Sequence, residues 1–181
     1  MFRVIALAVV AFGVFVSVAA AEVPAGVTYE PVISARAAYV AGKPVTIYCA
    51  PTQAVWQAVI AATGDVPPGG IANGITPTIG GTVSYLAPQT CAPIHARLKK
   101  RAVNLKALGA SLDILTAESL RLRGETNGEL GNGQTACDAL ALLPGFLVAH
   151  WGFRKNSSAY NRVMHGARAY YRQGAPSAGN C

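Results

Sequence analysis

Leu105, Leu108, Leu112, Leu115, Ser119 and Leu122 recur at alternating steps of three and four, placing them on one stripe of an α-helix with a polar lapse at Ser119. Gly124 is the expected stop, and Gly128, Gly131 and Gly133 loosen the connection that follows. Two more helices are predicted, one from about Thr135 to His150 with Pro144 as a kink or break, and one from about Ser157 to Arg172. Upstream, Val45, Ile47 and Cys49 alternate with Thr46 and Tyr48, which predicts a strand near Pro44 to Tyr48; an earlier strand is expected near Val27 to Val32. Pro51-Thr52-Gln53 opens a short helix through Ala61, with Val55, Val59 and Ala62 on one face, Trp56 beside them and Gly64 at its end. Between Asp65 and Gly81 the Pro and Gly punctuation allows only a long loop or a small hairpin around Ile71 to Ile79, and Thr82 to Leu86 reads as a further strand. These elements make an α+β domain, mostly helical, with short N-terminal strands packed on a bundle of about four helices.

Residues 1 to 21 have the order of a secretory signal peptide: Arg3 at the start, an apolar run from Val4 to Val18, and Ala19-Ala20-Ala21 before Glu22. A retained membrane anchor is the competing possibility, since the run approaches the ~20 residues of a span. Residues 22 to 181 then form a single domain outside the cytoplasm, and no later segment is apolar enough to cross a bilayer. Four cysteines in an exported chain imply two disulfides, with three connectivities open. The sequential pairing, Cys49 with Cys91 and Cys137 with Cys181, closes two loops of similar length and is the one expected; each bridge stabilises by ~4 kcal/mol in the chain-entropy model.

The formal charge is +7, of which Arg3 supplies one, and the signs are segregated. Five of the eight acids, Asp113, Glu118, Glu125, Glu129 and Asp138, fall in one stretch, so the remaining chain is cationic on either side of it: Arg97, Lys99, Lys100, Arg101 and Lys106 precede, and Arg154, Lys155, Arg162, Arg168 and Arg172 follow. Attraction to an anionic envelope surface is physically reasonable, against the simpler alternative of a solvated basic face. Nucleic acid is not an expected partner, because export separates the chain from it and no aromatic-basic motif is present. Asn156-Ser157-Ser158 fits a glycosylation acceptor.

Within the leucine helix, Ala117-Glu118-Ser119-Leu120-Arg121 occupies the frame of His-Glu-x-x-His with both imidazoles replaced. Ala117 and Arg121 project roughly opposite the leucine stripe, so this face is expected to border a cleft or solvent. The order Cys49, Trp56, Tyr85-Leu86-Ala87-Pro88, Cys91, Leu112 to Gly124, Cys137-Asp138-Ala139-Leu140 and Cys181 resembles small secreted actinobacterial proteins of unassigned function that carry Leu-Thr-His-Glu-x-x-His-Leu-x-Gly, a later acid and Cys-x-Ala-Leu. The resemblance spans most of residues 45 to 181 and implies a zincin-like metal site: Thr116 and Leu122 match the motif, Glu118 takes its general-base position, and Glu129 or Glu125 corresponds to the acid ligand. Ala117 and Arg121 depart from it at both imidazoles. Catalytic zinc needs about three protein ligands, so no metal and no other cofactor is expected here. Arg121 instead lies three residues from Glu118 and four from Glu125, within reach of helical ion pairing.

The function expected is therefore a non-catalytic binding or structural role at the cell envelope. One alternative is an active metal-dependent hydrolase that uses Glu118 with a relocated ligand set drawn from Glu125, Glu129 and His150 or His165, His95 being the remaining histidine. Another is a basic protein that binds anionic surfaces. A serine triad built on Ser111 or Ser119 lacks the Gly-x-Ser-x-Gly elbow.

Overall fold

In the computed structural model, residues 23–64, 73–125 and 129–174 are described. Helix α1 (Pro31–Ala41) joins strands β1 (Thr28–Tyr29) and β2 (Thr46–Cys49). Helix α2 (Gln53–Thr63), strand β3 (Gly74–Ile75) and strand β4 (Val83–Leu86) follow, and then helices α3 (Pro88–Leu98), α4 (Leu105–Arg123), α5 (Glu129–Trp151) and α6 (Ser158–Gly174).

The sheet runs in the order β1-β2-β4-β3. The β2–β4 pair is parallel and the other two are antiparallel. Parallel neighbours need a crossover, and α2 belongs to it. Strand alternation divides the core in two. Ile47, Cys49 and Leu86 face the main cluster with α1 and α3 to α6, whereas Tyr48, Tyr85 and Ile75 face a smaller one under α2 with Trp56 and Val59. The same alternation leaves Gly74 and Ser84 on the α4 side of the sheet.

Helix α4 runs through the middle of the main cluster. Asn104 caps its start by accepting from the Lys106 and Ala107 amides. Gly124, at φ 115°, caps its end, and the Gly80 amide donates to the Arg121 carbonyl there. The whole leucine stripe except Leu105 is fully buried, and Ser119, its polar lapse, satisfies its hydroxyl by donating to the Leu115 carbonyl at 2.6 Å. Two glycines set the approach of α6: a Cβ on Gly109 would stand 2.0 Å from the Val163 carbonyl oxygen, and one on Gly166 would stand 2.1 Å from the Lys106 carbonyl oxygen. Only hydrogen in place of a side chain lets these two backbones meet.

The mostly helical α+β class agrees with the sequence expectation. The strand expected to continue to Val32 does not: it ends at Tyr29, and Pro31 opens α1 from the first-turn position that proline favours. On α2 the buried residues are Trp56 and Val59, while Ala62 is exposed. Helix α5 begins earlier than the sequence suggested, at Glu129, and carries Pro144 inside it without ending. The Cys49–Cys91 disulfide is formed across the sheet to α3. Cys137 is not a free thiol, and its expected partner Cys181 lies outside the described residues, as do the segment 1–21 and the final tail. No helix among the described residues is long and apolar enough to cross a membrane.

Candidate functional site

Glu118 is not at an exposed helix edge. It is 4% exposed, because β3 lies over it. Ala117 is half-buried and packs against the main cluster. Arg121 retains 17% side-chain exposure and places Nη1 2.6 Å from Glu118 Oε1. On the other oxygen, the Thr76 hydroxyl donates to Oε2 at 2.7 Å. Ser84, 3.1 Å from Thr76 Oγ1, donates in turn to the Ile75 carbonyl at 2.9 Å. Both carboxylate oxygens therefore have a donor, one of them charge-assisted.

The backbone beside this carboxylate is close-fitting. A Cβ on Gly74 would stand 2.8 Å from Glu118 Cγ and 3.0 Å from Oε1. Strand β3 thus lies directly over the glutamate and closes that side of it to a substrate.

Two other polar groups share the neighbourhood. Asp113, on α4 one turn before Ala117, is 3% exposed, and its Oδ1 has no hydrogen-bond partner among the described residues. Burial pushes its carboxyl up to about 7, since the charged form has lost its water. The Tyr170 phenol, on α6, accepts a hydrogen bond from the Asn73 amide at 3.0 Å. Its titration is raised chiefly by burial; the Asn73 bond works against this, the Asp113 and Glu118 charges add to it, and Arg121 opposes it.

The zinc implied by the family resemblance does not fit this donor set. Ala117 supplies no ligand atom, one Glu118 oxygen is held by a guanidinium, and a fixed cation beside the carboxylate opposes a divalent ion. Glu125 lies beyond the Gly124 cap, its carboxyl raised first by burial, with Arg123 opposing and Asp138 reinforcing. Glu129 opens α5, but its side chain lies outside the described residues.

The histidines are placed elsewhere. His95 Nε2 lies 3.0 Å from Glu30 Oε1. His150 packs against Tyr39 and Phe146, with ring centroids 3.9 and 5.5 Å away. His165 lines a groove beside Lys106 and Arg162. Among the described residues, Glu30, Cys49 and His95 form the one group of three potential metal ligands whose atoms lie within 4.8 Å, and Cys49 is committed to its disulfide. Ser111 and Ser119 are buried in α4. Asn156 is exposed, with φ 63°, in the turn before α6, and Ser157 caps that helix by accepting from the Tyr160 amide.

Thr76, Ser84, Gly74, Asn73 and Tyr170 were not among the sequence candidates. Their one sequence signal is Asn73-Gly74 in a segment rich in turn residues, which marks a close backbone approach without naming its partner. Comparison with protein-family models, with curated proteins and with solved structures finds no match.

Proposed function

We propose that this protein is an extracytoplasmic binding or structural domain in which the position of a catalytic glutamate has become part of the folding core. The Arg121–Glu118 ion pair, closed on its other side by Thr76, carries this proposal. A general base must present a lone pair to a water in reach of a substrate. Glu118 instead presents its oxygens to a guanidinium and a hydroxyl beneath a backbone strand. Arg121 supplies the positive charge that zinc supplies in the motif this helix resembles, but it provides neither an open coordination position nor an acidified water.

The test is metal content and peptide hydrolysis of the purified mature protein, beside an Ala117→His/Arg121→His double variant. The expected result is no zinc retained by the native protein and no chelator-sensitive hydrolysis, with zinc captured only by the variant. Near-stoichiometric zinc in native protein purified without added metal would overturn the proposal.

A further inference from the structure

The other end of α4 carries a different arrangement. Lys106, in its first turn, faces Ser158, Asn161, Arg162 and His165 of α6 across an open groove of about 580 Å³. The four α6 residues stand at i, i+3, i+4 and i+7, so one helix face presents them all to the groove. The close Gly109 and Gly166 crossing packs Val163, Gly166 and Ala167 of α6 onto α4, which leaves the groove residues exposed beside the contact. The separation of the two helices beside the groove therefore follows from backbone packing.

Among the described residues no acid lines the groove. Neither Lys106 nor Arg162 is in an ion pair among the described residues, where the two carboxylates that are paired, Glu30 and Glu118, meet His95 and Arg121. Lys99, Lys100 and Arg101 lie just before α4, and Arg154 and Lys155 just before α6, so the surrounding chain adds positive potential. A guanidinium, an ammonium, an imidazole, a hydroxyl and a carboxamide supply both charge and neutral donors, the mixture suited to a tetrahedral oxyanion. The groove is shallow and open, which suits a group presented at a surface.

We propose that this groove is a binding site for a phosphate group, either free or carried on an anionic headgroup. It is separate from the Glu118 cluster, so zinc measurements and phosphate measurements fail independently.

The test follows backbone amide shifts of the full mature protein during titration with inorganic phosphate, and co-sedimentation with vesicles of phosphatidylglycerol or of phosphatidylcholine. Saturable shifts centred on Lys106, Arg162 and His165 support a free phosphate ligand. Sedimentation with phosphatidylglycerol alone supports a headgroup. In either case a Lys106→Gln/Arg162→Gln variant is expected to lose about tenfold or more in affinity, equivalent to ~1.4 kcal/mol, while its melting temperature stays at the native value because both side chains are exposed. His165→Ala is a milder second variant expected to weaken the same binding. Lys99→Gln/Lys100→Gln makes the same change in net charge outside the groove and is expected to weaken binding only slightly, through the lost long-range potential. No response to either ligand source, or equal losses in the groove and control variants, would overturn the proposal.

Discussion

The two ends of helix α4 handle charge in opposite ways. Toward its C-terminus, Glu118 and Arg121 neutralise one another inside the protein, under a strand that excludes solvent. At its N-terminus, Lys106 joins Arg162 and His165 around an open groove without an opposing acid. Charges at the closed end are part of the structure, because removing one leaves its partner buried and uncompensated. Those at the open end remain hydrated and cost little to change, so they are available to a ligand. Asp113 lies between the two ends and belongs to neither: it is buried like Glu118 but is in no ion pair among the described residues, and burial has shifted its titration accordingly.

The sharpest break in this comparison comes from Arg121→Ala. It strands Glu118 under β3 and is expected to lower stability by about 3–5 kcal/mol in equilibrium urea unfolding. Loss of less than ~1 kcal/mol would place Arg121 with the exposed pairs instead.

Asp113 gives the next effect, through pH. Its titration point is about 7 in the folded protein against the ordinary aspartate value of 3.8, so between those values the folded state holds a proton that the unfolded state has released. The stability associated with that proton is complete below pH ~3.8, declines as pH rises toward 7 and is gone above it. At ~1.4 kcal/mol per unit the whole shift corresponds to about 4 kcal/mol. Urea unfolding of native protein and Asp113→Asn at pH 5 and pH 8 should therefore show the variant gaining on the native protein as pH rises. A stability difference that is the same at both pH values would contradict a buried, unpaired carboxyl.

Gly109→Ala comes third. The added methyl meets the Val163 carbonyl, backbone that cannot rotate away, and the expected loss is about 3 kcal/mol, readable as a fall in melting temperature. The variant should also lose the groove geometry, since α6 must shift away from the start of α4.

Much of this architecture was legible in the order of residues. The leucine stripe, its Gly124 stop, the strand near Pro44 to Tyr48 and the strand before Pro88 follow from local periodicity and turn chemistry, and the Cys49–Cys91 bridge from an even cysteine count and the sequential choice among three connectivities. Helix α1 was missed because Val27 to Val32 is rich in β-branched and aromatic residues, and the helical spacing of Ile33, Ala37 and Val40 begins only after Pro31. The i,i+3 pairing of Glu118 with Arg121 could be read from one helix. Its burial could not, because Gly74 and Thr76 reach it from a strand some forty residues away in the chain. Gly109 and Gly166 did leave a trace: glycine inside a helix costs ~1 kcal/mol relative to alanine, which asks for a packing reason. Asp113 looked like one more member of an acidic run until the fold buried it.

The central claim is that Glu118 is held as a structural anion by Arg121. A double-mutant cycle with Glu118→Ala, Arg121→Ala and the combined variant, read by urea unfolding, tests it most directly. The account predicts that the double variant is more stable than the sum of the single losses requires, with a coupling of about 2–3 kcal/mol, because removing both charges leaves neither one stranded. Additive losses, with no coupling between the two positions, would contradict it.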